Sequence, residues 1–175
     1  LKGVSIGLQS GSVHALMGEN GAGKSTLMKI LAGVHQPDSG AILLDGRQVA
    51  FHRPKDALEA GISTVFQELS LLPNLTIAEN MFLGREPTTA FGGVDHRRMR
   101  REAGKALAEL GLTLDPGTLV SMLSIAERQF VEIAHGIMTD ARVLILDEPT
   151  AALKAADVEV LNRHIRRLKD EGRAL

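Results

Sequence analysis

The run Gly18-Glu19-Asn20-Gly21-Ala22-Gly23-Lys24-Ser25 constrains this chain more than any other feature. It matches G-x-x-x-x-G-K-[ST], a pattern that works as a loop joining a buried strand to a helix. Both flanks suit it: Val13-His14-Ala15-Leu16-Met17 predicts a short buried strand, and residues 24–32 predict a helix. Glycines let backbone N–H groups turn inward, and the helix N-terminus behind them favours negative charge. The loop is therefore suited to phosphates. Lys24 would reach the β- and γ-phosphates of a triphosphate, the Ser25 hydroxyl would hold Mg²⁺, and Thr26 adds a hydroxyl near the α-phosphate. A dinucleotide-binding turn is the rival glycine-rich reading. It fails because Gly21-Ala22-Gly23 has no third glycine at Thr26 and leaves Lys24-Ser25 unexplained.

Strand and helix signals alternate around this loop. Strands are predicted at 41–44, 48–51, 62–66 and 143–146, with Asp45-Gly46 as a hairpin turn. Helices are predicted at 54–60, 96–110, 124–138 and 155–171. Thr76 with Glu79 three residues on has capping-box spacing. Such alternation means an α/β domain with a mainly parallel sheet. Residues 76–140 are mostly helical and read as an inserted subdomain, leaving 1–75 and 141–175 as the α/β core of one domain.

Composition removes several classes of function. The absence of Cys excludes thiol catalysis, disulfides and Cys-ligated zinc. A net charge of −1, no Trp, no Tyr and five Phe argue against a nucleic-acid partner. The longest apolar runs are a few residues, far short of a membrane span. Arg97, Arg98, Arg100 and Arg101 form a basic cluster, read as a solvated helix face with Glu102 nearby rather than a nucleic-acid patch. The six histidines show no ligand spacing.

Val143-Leu144-Ile145-Leu146-Asp147-Glu148 is an apolar strand ending in two carboxylates. Ligands of open parallel sheets bind at the carboxyl ends of strands. Asp147 is thus the candidate carboxylate of the Mg²⁺ shell, and Glu148 the general base for an attacking water.

With these motifs in hand, the chain resembles the ATPase domain of ABC transporters nearly end to end. Gln67 in Val65-Phe66-Gln67-Glu68 sits where that family has its Q-loop, and Leu123-Ser124-Ile125-Ala126-Glu127-Arg128-Gln129 where it has its signature motif. Asp147-Glu148-Pro149-Thr150 matches the family's second nucleotide motif. The wording is most similar to the first half of tandem sugar-importer ATPases of bacteria, of the ribose, galactose and xylose type.

The resemblance implies a P-loop NTPase with a RecA-like mainly parallel sheet, an antiparallel β portion and the helical subdomain, truncated at its C-terminus. It implies ATP and Mg²⁺ as cofactors, with Gln67 sensing Mg²⁺ and the γ-phosphate. A second ABC ATPase domain would pair head to tail, so that Ser124 serves the partner's ATP. Membrane permease subunits, with a periplasmic solute-binding protein acting through them, would complete an importer at the cytoplasmic face of the inner membrane. Leu71, Leu72, Leu75, Met81 and Phe82 are divided between core and the groove that receives a permease coupling helix. Two other readings stand beside this one: a soluble ABC ATPase without a membrane partner, and an ATP-binding-only fragment. The family's adenine-stacking aromatic residue would precede Leu1, and its switch histidine would follow Leu175 on a strand lying between 13–17 and 143–146. These 175 residues alone are therefore expected to be poorly stable and nearly inactive as an ATPase. Departures from the family pattern are Ile125 and Ala126 for two glycines, Glu127 for Gln, and Lys154 for Asp.

Overall fold

The computed structural model describes residues 1, 3–65, 71–139, 141–150 and 153–175. In chain order the elements are α1 (Lys24–Leu31), β1 (Ile42–Leu44), β2 (Arg47–Val49), α2 (Pro54–Glu59) and β3 (Ile62–Val65). There follow α3 (Ile77–Phe82), α4 (His96–Glu109), α5 (Ile125–Met138), β4 (Val143–Leu146) and α6 (Ala155–Asp170). They fall into two units: Leu1–Val65 with Thr139–Asp147 and Asn162–Leu175, and Phe66–Met138 with Glu148–Leu161.

In the first unit, β1 and β2 form an antiparallel hairpin, with Ile42 opposite Val49 and Leu44 opposite Arg47. Asp45 and Gly46 supply the two left-handed residues its turn needs, at φ 51° and 75°. Pro54 opens α2, where the Asp56 carboxylate accepts from the His52 and Arg53 N–H groups at 3.0 Å each. The Arg53 guanidinium beside it holds that carboxyl below the usual range. β3 and β4 pair in parallel from Ile62 opposite Val143 to Val65 opposite Leu146. Phe51, Ala57, Ile62 and Ile145 make the core, and Met28 and Leu31 pack α1 against it. That packing seats the helix behind the glycine-rich loop.

Residues 13–17 do not form the expected strand. A strand is a ladder, and only the first part of this segment finds a partner. His14 N–H donates to Leu175 O at 2.7 Å and Leu175 N–H to Ser12 O at 2.9 Å. On its other side the same tail meets β4: Ala174 bridges Val143 in parallel, and its carbonyl accepts from Leu144 N–H at 2.9 Å. Residues 174–175 thus lie between 12–14 and β4. Val13 and Met17 are left exposed instead of buried, Met17 at 89%.

The second unit is helical. Met99, Ala103, Ala106 and Leu107 bury one face of α4, and Ile77, Ala78 and Met81 fill α3's side of the same core. From α5 come Phe130, Val131, Ile133 and Ala134. The capping box at Thr76 is complete: Thr76 N–H and Oγ1 both donate to Glu79 Oε2 at 2.8 Å, and Glu79 N–H donates back at 3.2 Å. Those bonds hold the Glu79 carboxyl below its usual range. No helix among the described residues is long and apolar enough to cross a membrane.

Candidate functional site

The loop at 18–25 is built from backbone. Gly21 and Gly23 take φ of 85° and 94°, conformations that side chains rarely adopt. Ala22 N–H donates to Glu19 O at 3.1 Å, closing a tight turn. Gly23 then caps α1 without a side chain, and the first turn carries no acid. Leu27 N–H is the donor that returns to Gly23 O, at 3.0 Å. The first N–H groups of the helix have no intrahelical acceptor, so they remain available to an anion. Lys24 folds back across the loop, its Nζ donating to Gly18 O at 2.6 Å and Glu19 O at 3.0 Å. Ser25 and Thr26 are exposed beside it. Gly18 is constrained by space, because a Cβ there would stand 3.3 Å from Ala22 Cβ.

Asp147 follows β4 directly and is buried, its N–H extending the parallel ladder to Val65 O at 3.0 Å. The next residue differs in both respects. Glu148 is exposed and its backbone is left-handed at φ 48°. A non-glycine residue held there stores about 1–3 kcal/mol of strain, a feature concentrated at functional sites. Gln67 lies outside the described residues.

In the helical unit, Ser124 stands at the start of α5. Its N–H donates to Glu127 Oε2 at 2.7 Å, and Glu127 N–H donates to Ser124 Oγ at 3.3 Å. The Ser124 hydroxyl, and after it the Ser124 N–H, hydrogen-bond the Glu127 carboxyl and hold it below its usual range. Glu127 turns its carboxylate back onto Ser124's own backbone. Ile125, which replaces a family glycine, is 61% exposed. Of the segment after Thr150, Ala151 and Ala152 lie outside the described residues, while Lys154 is exposed and its N–H donates to Asp157 Oδ2 at 3.3 Å.

Two polar clamps escaped sequence reasoning. Asn80, buried on α3, accepts from Leu72 N–H at 2.7 Å and donates to Leu72 O and Thr76 O at 3.0 Å each. It holds the 72–76 turn. Arg128 donates to Leu123 O at 3.1 Å and Ser121 O at 3.2 Å, bracing the turn just before Ser124. The available signal for Asn80 was a polar residue on the apolar side of a short helix.

Comparison with known proteins follows the same lines. The family model described as "ABC transporter" matches residues 1–151. Ribose import ATP-binding protein RbsA 2 of Streptomyces avermitilis is 52% identical over all 175 residues, which cover 35% of that protein. Arabinose import ATP-binding protein AraG 1 of Burkholderia cenocepacia is 50% identical, again over the whole chain and 35% of its own length. The chain thus spans about a third of the curated relatives it matches. Among solved structures, the ADP conformation of MJ1267, an ATP-binding cassette of an ABC transporter, superposes with a TM-score of 0.82 at 27% identity, covering 99% of this chain and 72% of that one. The dimeric cassette MJ0796, bound to ADP and Pi, gives 0.82 at 25% identity, covering 98% of this chain and 75% of that one. Its P-loop NTPase fold is therefore that of the ABC ATPase cassettes, and the chain belongs to the ABC transporter family.

Proposed function

We propose that this chain is an ATP-binding and ATP-hydrolysing cassette that energises import of a sugar or similar small solute. The observation that carries it is the start of α1, with no side-chain cap and no acid in its first turn, behind a loop that Gly21 and Gly23 turn through positive φ. In the chain as it stands, Lys24 is satisfied by the loop's own carbonyls. A bound nucleotide offers that ammonium charged phosphate oxygens instead, a stronger contact. Glu19, Asn20 and Ala22 contribute loop backbone, Gly18 gives the close approach, and Thr26 faces the α-phosphate end.

The residues present fit Mg²⁺: Ser25 hydroxyl, Gln67 amide oxygen and Asp147 carboxylate are hard oxygen donors. Bound there, the ion would neutralise charge on the transferring phosphoryl group. Glu148 acts as general base, accepting the proton of the attacking water. Ser124 donates to ATP held by a second cassette paired head to tail, and residues 76–140 form the subdomain that presents it. In the importer the chain lies on the cytoplasmic side of the inner membrane, against permease subunits supplied with solute by a periplasmic binding protein. The similarity to ribose and arabinose import proteins favours this over a soluble ATPase without a membrane partner.

The test is a titration of the chain with a fluorescent Mg-ATP analogue beside Lys24→Ala. Losing charge-assisted bonds worth about 1.5–3 kcal/mol predicts roughly ten- to hundred-fold weaker binding. Equal affinity of both proteins, with matching circular dichroism, would sink the assignment.

A further inference from the structure

Between α3 and α4 the chain makes a tight hairpin that the nucleotide chemistry does not use. Thr88 bridges Val94 antiparallel, Thr89 N–H donates to Gly93 O at 2.7 Å, and Asp95 N–H donates to Pro87 O at 2.7 Å. Phe91 sits at the tip and is 100% exposed. A fully exposed phenylalanine on an internally bonded turn is solvated at a cost the fold does not require.

The hairpin runs straight into α4, capped by Asp95, whose Oδ1 accepts from Arg98 N–H at 2.9 Å. Met99, Ala103, Ala106 and Leu107 occupy the buried face of that helix. At 100° per residue, Arg97, Arg98, Arg101 and Lys105 fall together on the opposite face. All four are exposed. Two acids lie beside them: Glu102, shared by Arg101 at 3.1 Å and Lys105 at 3.8 Å, and Glu109, one turn beyond Lys105. Arg97 and Arg98 have no ion-pair partner among the described residues. Residues 84–105 hold six Lys and Arg against three Asp and Glu, in a chain whose net charge is −1.

We propose that the 84–95 hairpin and the basic face of α4 form a docking surface for anionic lipid headgroups, with Phe91 entering the interface. The apolar face of α4 is committed to its own core, so the helix cannot lie embedded in a membrane. What it presents is a row of cations spread along just over two turns, complementary to a plane of anionic headgroups rather than to a single carboxylate pocket. The aromatic tip adds the apolar anchor that such basic surfaces need.

Co-sedimentation of the chain with vesicles tests this, using pure phosphatidylcholine and an equimolar mixture with phosphatidylglycerol. Binding is expected to the mixture alone and to fall with added salt. Arg97→Gln/Arg98→Gln lowers partitioning about five-fold per arginine. Phe91→Ser lowers it about ten-fold or more, and Phe91→Leu restores most of the loss. Lys55→Gln, an exposed α2 residue paired at 3.7 Å with Glu59, leaves it unchanged. Equal binding to both vesicle types overturns the proposal. So does an arginine effect no larger than that of Lys55→Gln, or binding indifferent to Phe91. Vesicle binding that is intact in these variants while permease association is lost also overturns it, in favour of a protein partner. Mg-ATP titration of the same variants reads the phosphate loop separately, so failure of either reading is told from failure of the other.

Discussion

Replacing Gly33 by alanine separates two effects that a left-handed glycine usually combines. Gly33 closes α1 in a Schellman arrangement: its N–H donates to Ile30 O at 3.1 Å and Val34 N–H to Lys29 O at 2.8 Å. Gly111 closes α4 identically, with Gly111 N–H to Ala108 O at 2.9 Å and Leu112 N–H to Leu107 O at 3.0 Å. Their φ angles are 70° and 68°, so the backbone strain of a side chain matches. That strain is about 1–2 kcal/mol. It is offset by about 0.4–1 kcal/mol because alanine restricts the unfolded chain.

The surroundings differ. At Gly111 a Cβ meets nothing within 4 Å, whereas at Gly33 it would stand 2.6 Å from the Arg53 carbonyl oxygen and 3.0 Å from Phe51 Cβ. Both obstacles are poorly movable, one being backbone and the other a core residue. Overpacking of this kind adds about 1–3 kcal/mol. Gly111→Ala should therefore cost about 0.5–1 kcal/mol and Gly33→Ala about 2 kcal/mol more. Native-state hydrogen exchange reads each unit separately, from β3–β4 amides for one and α4 amides for the other. Gly172→Ala, at φ 90° with its nearest neighbour, Ser10 Oγ, 4.0 Å away, supplies an uncrowded control in Gly33's own unit. Equal losses at Gly33 and Gly172 would show that crowding against residues 51–53 contributes nothing.

Two further outcomes follow from the site and from the helical core. Glu148→Gln keeps the side chain's shape but cannot take a proton. Mg-ATP affinity should stay within about two-fold while phosphate release falls about a hundred-fold or more; hydrolysis at the parent rate would remove Glu148 as the base. His135 is mostly buried on α5, and burial together with the charge of Arg85 lowers its pKa from 6.5 to about 4. Between those values the unfolded chain binds more protons. Stability is thus retained above pH 6.5 and declines as pH falls toward 4, by about 3 kcal/mol for this group. Urea midpoints of His135→Gln across that range should show a shallower slope, and an unchanged slope would refute the role.

Local features were legible in the amino-acid order because their physics is local. The glycines of the 18–25 loop, the Asp45-Gly46 turn and the Thr76–Glu79 box each need only neighbours a few residues away. The helices were readable for the same reason, since their apolar period and their caps lie within one segment. The order of residues also supplied the chemistry of the candidate site, a lysine and hydroxyls after glycines and two carboxylates after an apolar strand. Tertiary structure decided what depends on distant partners. Residues 13–17 carry a strand's composition, yet their pairing runs to His14, whose partner Leu175 is remote in sequence. The Asn80 and Arg128 clamps were hidden because their acceptors are loop carbonyls, set by how the turns fold and not by any side-chain pattern. Likewise, neighbouring carboxylates look alike in sequence. The close of the β3–β4 ladder buries Asp147, and the left-handed step that follows leaves Glu148 exposed.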